Sequence, residues 1–575
     1  MDEEREVLIS LKSLFELCAF TEFNNLESTS IHARNPSLCK TDAEVQFDRY
    51  YQLYKFEELD ELEKELSDLN TFSKILAVDK RRLHLLSMVQ APMNREMKIA
   101  KNLLNNYSFQ VGAKLLPHDE LINLGLDLGK FLRDAGWYAQ SKDVLLVCKQ
   151  LCIDNNQTPE DKTLNCLHEL LRAQTAYCDF NGAKETIILA KQILKSESMV
   201  KYCAALFTEF SVLEYLHNEY DKAYGWSKAA LKKLNPTLSK ETIVDILRQA
   251  AKSRMMSAQQ HSLVSQKAGL LIKEAVYLAR ETFGTDHPKY SNVLIDYGCF
   301  LMRTDSKNHI ITIYRTALDI RRKIFGENNL YVALAHKHLA YCLIESGINP
   351  DTSYIAKHHA EIAVAIMERH LPPNHFLLAN AKRVKALTLE LTTVLIGPFD
   401  RNILLECEVL YLSALEISKS AFNESSHLVA IQYTELSRLY QTMNRLNEAM
   451  AMIKKSMAIK TQLEQEDYEL TVSIEYEAWL HFLHKRYERC ESLLLCCLER
   501  RSALLGKSHS SLKSVYDVLL FVYRTTGAQE KLFQYTKKMN HWQELKDQRV
   551  LAEEPPIDVQ RPSQPIADVI KRYIA

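Results

Sequence analysis

A few residue groups have the types that chemistry needs, and spacing decides against most of them. Gly506-Lys507-Ser508 ends like a phosphate-binding loop. Such a loop wraps phosphates with backbone N–H groups only when a second Gly stands five residues earlier, and Arg501 holds that place. The close cysteines, Cys148/Cys152 and Cys490/Cys496/Cys497, lie in helical patterns and form no CxxC pair. The paired-ligand spacing of zinc sites is missing, so the expectation is small core thiols. His336/His338 and His358/His359 lack the i, i+4 spacing that turns two imidazoles to one helix face. No HExxH, GxSxG or GxGxxG string occurs. The expected protein is not an enzyme and has no catalytic residue, metal or cofactor.

Composition points to helices. Fourteen Gly and fourteen Pro in 575 residues are well under half the usual ~12%, too few corners for a turn-rich β fold. Hydrophobic residues at 47% and charged at 25% suit a soluble chain with ample core. A formal net charge of −1 sets up no global field for nucleic acid or a membrane surface. The start, MDEEREVLIS, lacks the apolar segment of a signal peptide. No apolar run approaches the ~18 residues of a membrane span, so direct membrane insertion is not expected. Thirteen cysteines without a secretory signal imply reduced thiols in the cytosol or nucleus.

The strongest signal is self-similarity. Phe283-Gly284-Thr-Asp-His287 returns as Phe325-Gly326-Glu-Asn-Asn329, then as Leu371-Pro-Pro-Asn-His375, Phe422-Asn-Glu-Ser, Leu463-Glu-Gln-Glu-Asp467 and Leu505-Gly506-Lys-Ser-His509. The leading residues are 42, 46, 51, 41 and 42 apart. Eight residues before the marker stand Ala275, Ala317, Ala363, Ala414 and Cys497, with Lys455 out of phase beside Ser456. Fifteen after it stand Gly298, Ala340, Ala386, Ser437 and Ala478, with Leu520 breaking the run. Between markers lie two runs of helical period. Each unit reads as two antiparallel helices meeting at small residues, and such pairs must stack to bury their faces. The pattern resembles the tetratricopeptide repeat, and its ~42-residue form resembles the repeats of kinesin light chains. Leu128-Gly129, Leu132, Gly136, Tyr138, Ser141, Leu145 and Cys148 fit the shorter form, and Tyr220, Ala223 and Ala230 mark a looser unit.

Four segments follow. Residues 1–95 lack the repeat and hold two helical stretches, one with Leu8, Leu11, Leu14, Phe15 and Cys18 on a face and one with Phe56, Leu59, Leu62, Leu66 and Leu69. Residues 96–270 hold divergent tetratricopeptide-like repeats and 271–548 the 42-residue repeats. Residues 549–575, with Pro555, Pro556, Pro562 and Pro565, read as a flexible tail. The expected fold is all-α, a tetratricopeptide-repeat superhelical solenoid behind a non-repeat helical N-terminal segment.

Several strings go beyond this class: Val45-Gln-Phe-Asp-Arg-Tyr-Tyr-Gln-Leu-Tyr54, Asp134-Ala-Gly-Trp-Tyr138, Asp245-Ile-Leu-Arg-Gln-Ala250, Ala275-Val-Tyr-Leu-Ala-Arg280, His287-Pro-Lys-Tyr-Ser291, Lys382-Arg-Val-Lys-Ala-Leu387 and Arg438-Leu-Tyr-Gln441. In this order, from about residue 45 to about 548, the chain resembles the amyloid protein-binding protein 2 family. The resemblance implies a substrate receptor of a ubiquitin ligase built on cullin 2 and elongins B and C, reading protein C-termini of the form Arg-x-x-Gly. It also implies the alternative of a microtubule-associated adaptor for transport of amyloid-precursor-like membrane proteins through their cytoplasmic tails. Either role places the chain in the cytoplasm, with the nucleus and microtubules as further sites. Receptors of this class hold elongin C with a small residue, Leu, three others, Cys, three others and an aliphatic. Ser13-Leu14-Phe15-Glu16-Leu17-Cys18 fits, and the last position is Glu22. Leu14, Phe15 and Cys18 are the implied elongin contacts. Ser492-Leu-Leu-Leu-Cys-Cys497 matches equally well but lies in a repeat helix, where core is expected. The Leu-Pro pair that selects a cullin is Thr41-Asp42 here.

A stacked array presents its first helices along a groove. A C-terminal tail brings a carboxylate, which calls for Arg, Lys or Asn, and a peptide Arg calls for Asp or Glu. The first helices of the long units supply Tyr290, Asp296, Tyr297, Lys337, Tyr341, Asn380, Lys382, Arg383, Glu435, Arg438 and Gln441. Asp296 or Glu435 is the expected partner of a peptide Arg. Arg383 or Arg438, with Asn380 close by, is the expected partner of the carboxylate.

Overall fold

The chain is described here by a computed structural model over residues 98–574, apart from 155–157, 195–199, 235–237, 258–260, 307–308, 346–349, 397–399, 464–467, 552–556 and 558–560, together with Lys64, Asp68 and Leu69. The expected elongin contacts Leu14, Phe15 and Cys18, and Thr41-Asp42, lie outside the described residues. Every regular element among the described residues is a helix, 22 in all, and none of these is long and apolar enough to cross a membrane.

After α1 (Lys98–Ala113) the helices pack as ten successive pairs. The first helices of the pairs are α2 (His118–Asp134), α4 (Glu160–Tyr177), α6 (Val200–Leu216), α8 (Lys240–Met256), α10 (Pro288–Arg303), α12 (Leu330–Glu345), α14 (Phe376–Ile396), α16 (His427–Thr442), α18 (Tyr468–Leu483) and α20 (Leu512–Thr526). The second helices are α3 (Tyr138–Asp154), α5 (Phe180–Ile193), α7 (Tyr220–Lys232), α9 (His261–Phe283), α11 (Ile310–Phe325), α13 (Pro350–His370), α15 (Arg401–Phe422), α17 (Leu446–Gln462), α19 (Tyr487–Leu505) and α21 (Gln529–Leu551). A last helix, α22, spans Ile566–Ile574. The longer spacings of the sequence markers are extra helix: α13, α14 and α15 have 21, 21 and 22 residues, against 16 in α10, α11 and α12.

The markers explain how one pair hands over to the next. Gly284, Gly326 and Gly506 end their helices at φ of +80°, +68° and +90°, and Asn423 takes +90° at the fourth marker. This left-handed region costs glycine least. The residue three or four positions on then caps the next helix. His287 Nδ1 accepts from the Lys289 N–H at 3.1 Å, Asn329 Oδ1 from Tyr331 at 2.8 Å, His375 Nδ1 from Leu377 at 3.2 Å and His509 Nδ1 from Ser511 at 3.2 Å. Each satisfies a helix-end donor that would otherwise be unpaired. The small residues sit where helices touch: Ala275, Ala317, Ala340, Ala363, Ala386, Ala414, Ser437, Ala478 and Cys497 are all fully buried. In the out-of-phase unit Ser456 is buried and Lys455 exposed. A Cβ on Gly298 would stand 2.7 Å from the Tyr314 ring, so no larger residue fits that approach.

The winding is tight enough for the array to touch itself. Asn329 Nδ2, just before α12, donates to the Ala135 carbonyl after α2 at 2.9 Å. His375 Nε2–H, before α14, donates to the Tyr177 carbonyl ending α4 at 2.9 Å. The Phe180 ring of α5 meets Phe376 and Phe422 at 5.7 and 4.8 Å between centroids. Asp305, after α10, accepts from the Ser510 N–H and hydroxyl at 2.8 and 2.6 Å, just before α20. Each capping contact joins elements five pairs apart, so about five pairs complete one turn.

The tail departs from its sequence reading. Residues 549–575 are expected to be a flexible extension, yet part of them docks. Val569 and Tyr573 of α22 are buried. The Tyr573 hydroxyl lies 2.9 Å from that of Tyr224 on α7. Ser563 donates to Glu281 of α9 through its N–H and hydroxyl, both at 2.6 Å. The polar, Pro-rich stretch carries one short amphipathic turn, Val569 to Tyr573, which composition averages away.

If the cross-turn bonds hold the winding, Asn329→Ala strands the Ala135 carbonyl and loses a cap, costing about 1–3 kcal/mol. Urea unfolding should read the loss, and solution scattering should show a larger radius of gyration. Unchanged values in both would mean that the turns hold without this contact.

Candidate functional site

The first helices also touch one another along the array, and most of the charged side chains on that wall are buried or half-buried. Apolar neighbours cannot satisfy them, so each must find an opposite charge or a hydrogen bond. On the early repeats, Arg133 of α2 pairs with Glu169 of α4. Arg172 of α4 reaches Asp245 and Glu241 of α8 at 3.1 and 3.5 Å. Arg248 of α8 donates from Nε to Asp296 of α10 at 2.8 Å, and Lys252 stands 3.2 Å from the other Asp296 oxygen. Lys289 of α10 closes on Glu241 at 2.6 Å. Further on, Arg383 of α14 pairs with Glu435 of α16. Arg438 of α16 forks onto Glu390 of α14 at 3.0 and 2.8 Å and donates to the Tyr411 hydroxyl at 2.9 Å. Such two-point guanidinium–carboxylate contacts fix geometry as well as charge.

All five residues expected to line the groove, Asp296, Asn380, Arg383, Glu435 and Arg438, lie on first helices. The structure gathers Asn380, Arg383 and Glu435 into one network, with Arg383 Nε donating to Asn380 Oδ1 at 3.4 Å. Arg438 is committed to Glu390, and Asp296 belongs to the separate Arg248/Lys252 group. Arg383 and Glu435, expected to meet opposite ends of a peptide, hold each other.

Burial sets the charge states. Burial raises the Glu435 carboxyl, more than Arg383 and Arg438 lower it. The same cause brings Glu209 of α6 up to about 7 against the pull of Arg172. Asp296 goes the other way, because Lys252 and Arg248 outweigh its burial. Burial, with Arg383 nearby, brings Lys337 down to about 8.

Some cations of the wall are different. Among the described residues, Lys337 of α12 and Arg303 of α10 have no carboxylate at ion-pair distance. Lys337 is buried, at 9% exposure, whereas Arg303 is exposed and its charge is favoured by Glu469. Tyr341, one turn from Lys337, has its hydroxyl pKa raised by Glu345 first, then by burial and Glu469, with Arg383 and Arg303 opposing. Sequence reasoning named Lys337 without preferring it. It missed Arg303 and the early set Arg133, Arg172 and Arg248. The available signal was a charge recurring inside an apolar helical face, as in Asp245-Ile-Leu-Arg248. A cavity of about 170 Å³ lies within the first turn, lined by Arg133, Arg172, Glu209, Asp245, Arg248 and Lys289 among others.

The tetratricopeptide repeat family matches residues 429–467, from the third residue of α16 to the end of its unit. Amyloid protein-binding protein 2 of Mus musculus is 35% identical over 543 residues, covering 92% of each chain. Its counterpart in Rattus norvegicus is 36% identical over the same length and shares. Among solved structures, a Rap protein complexed with competence and sporulation factor is 11% identical, covering 75% of this chain and 99% of that one, with a TM-score of 0.39.

Arg383 and Glu435 have side chains 15% and 10% exposed, so breaking the pair leaves a charge with little water. Arg383→Met should cost about 3–5 kcal/mol, and adding Glu435→Leu should restore most of it. Chemical denaturation of the single and double variants reads this directly. Equal losses that simply add would show that the pair carries no coupling.

Proposed function

The chain belongs to the amyloid protein-binding protein 2 family, and on that premise we propose that it is a substrate-recognition subunit of a cullin-2-type RING E3 ubiquitin ligase, binding target proteins by C-terminal tails of the Arg-x-x-Gly type. The observation that carries the reading is the charged inner wall, in which many cations pair with a carboxylate, while the buried Lys337 has none at ion-pair distance and Arg303 feels the charge of Glu469 without an ion pair to it. A chain-end carboxylate gains most from a cation that need not abandon another partner. Lys337 and Arg303 therefore take the peptide carboxylate. Glu435, whose Oε2 is buried without a hydrogen-bond partner, takes the peptide Arg. Asn380, Arg383, Arg438 and Asp296 keep the wall in shape through their own pairs.

The protein then carries no chemistry of its own. It raises the effective concentration of a bound tail near a catalytic module supplied by its partners. The leading segment supplies the link, with Leu14, Phe15 and Cys18 entering the apolar groove of elongin C. The copy of that motif at Ser492–Cys497 is unavailable, because its Leu493 packs against the repeat core and its Cys497 lies in it. A second reading is favoured by the relatives' name, which says that they bind amyloid protein. In it the same wall holds the cytoplasmic tails of amyloid-precursor-like membrane proteins for transport along microtubules.

Two measurements test the proposal. A peptide ending Arg-x-x-Gly should bind the full chain, and its C-terminal amide should bind roughly 10–100-fold more weakly, the size of a lost charge-assisted bond. Arg303→Glu and Lys337→Met should reproduce that loss without unfolding the chain. Lys337 is protonated below about pH 8 and neutral above it, so affinity should fall as pH rises from 7 to 9. Equal binding of acid and amide would remove the carboxylate reading. The other measurement separates the two roles: elongins B and C should co-purify with the wild type and be lost with Leu14→Glu, whereas a transport adaptor would show no elongin with either.

A further inference from the structure

Three cysteines meet at the start of the array. Cys148 and Cys152 are one turn apart on α3, and Cys166 faces them from α4. Their sulfurs all lie within 4.8 Å of one another. All three are buried, at 0%, 4% and 0% exposure. Their other contacts are few: the Tyr107 hydroxyl lies beside Cys148. The Cys148 thiol donates to the Ile122 carbonyl at 3.5 Å, and the Cys166 thiol to that of Leu145 at 3.8 Å.

A candidate fourth donor, His118, lies on the neighbouring helix. His118 opens α2, one turn before Ile122. Because α2 and α3 run antiparallel, the residue beyond Ile122 on α2 faces the one beyond Cys148 on α3, so His118 comes opposite Cys152. The imidazole bears electrostatically on the Cys152 thiol. Its Nε2 is buried and has no hydrogen-bond partner, the condition of a ring nitrogen left for a ligand. Lys162, paired with Asp119 at 3.0 Å, adds positive charge near Cys152.

We propose that Cys148, Cys152, Cys166 and His118 form a structural zinc site joining α2, α3 and α4. Three thiolates and one imidazole are a soft donor set suited to tetrahedral Zn²⁺, with no oxygen ligand to favour calcium or magnesium. Zn–S bonds of about 2.3 Å set sulfurs about 3.8 Å apart in a tetrahedron, so the three thiols close with small side-chain movements and the His118 ring turns toward them to complete the set. Metal entry releases the thiol protons, and no oxidant is needed. The site fastens the first full repeat to the second. Two of its cysteines sit at i, i+4 rather than in a CxxC knuckle, and the third comes from the next helix, so linear spacing conceals it.

The test uses the full chain, expressed with zinc supplementation and purified without chelator. Elemental analysis should find about one zinc per chain, the stoichiometry of a single closed four-ligand site. Cobalt exchanged into the reduced protein should give a sulfur-to-cobalt charge-transfer band with the intense d–d absorption of tetrahedral cobalt. Cys166→Ser should lose the metal. Because that variant can also fail to fold, His118→Ala, at a half-buried position, is the second probe. It should keep its helical signal and the charge-transfer band, while the d–d pattern changes and metal is lost more readily to a chelator. A reduced wild-type chain that takes up neither zinc nor cobalt overturns the proposal. So does a folded Cys166→Ser variant that keeps its zinc, or mass spectrometry showing a disulfide among the three cysteines in protein purified under reducing conditions.

Discussion

Five helix pairs complete one turn of the winding, and the next pair closes onto the first. The marker residues do two jobs at that contact. Asn329 and His375 each cap a helix with one side-chain atom and bond a carbonyl of the previous turn with another. Separate residues could do each job, but one residue doing both couples helix initiation to superhelical pitch. A pair that starts in the wrong place cannot reach the turn below. His375 can accept at Nδ1 and donate from Nε2 only as the neutral imidazole, and burial lowers its pKa in keeping with that.

Closure also governs the inner wall. A loosely wound array leaves the charges of its first helices in water, where ion pairs contribute little. Here the wall is crowded, and side chains such as Glu390 and Asp296 are 2% and 7% exposed. Their pairs join neighbouring helices of the array: Arg248 to Asp296, Arg438 to Glu390 and Arg383 to Glu435 are 48, 48 and 52 residues apart. Those separations are close to one repeat, so the same contacts that neutralise charge also fix the register between pairs. Arg172, reaching past α6 to α8, does so across two repeats. Such pairs add little net stability over apolar side chains of the same size, but a misregistered array would strand a buried charge.

Much of this is legible in the sequence and some is not, and the difference is one of range. The markers, the small residues and the two-helix units are local or recur at a fixed period, so periodicity alone places Gly298, Ala340, Ala386 and Ser437 at helix contacts. The displaced phase at Lys455 and Ser456 is visible too, and the fold resolves it by burying the serine. Pairing at i, i+3 is the ordinary expectation for charges on these helices, and it describes Arg248 with Asp245. It cannot reveal which charges meet between repeats, because that depends on pitch, and pitch depends on contacts about 200 residues apart. The tail fails for the opposite reason. Four prolines dominate its composition, while Val569 and Tyr573 are a signal of two residues.

A wall of paired charges has a consequence for recognition. A peptide that displaces an internal pair must replace its energy before gaining any of its own, so paired residues discriminate poorly between tails. A cation held near other cations and away from carboxylates, as Lys337 is beside Arg383, is already unfavourable in the free protein. An incoming carboxylate relieves that cost, and a neutral chain end does not. In the proposed role, specificity for an anionic terminus follows from what the wall leaves unpaired, with the paired majority serving to hold the unpaired few at a fixed depth and spacing.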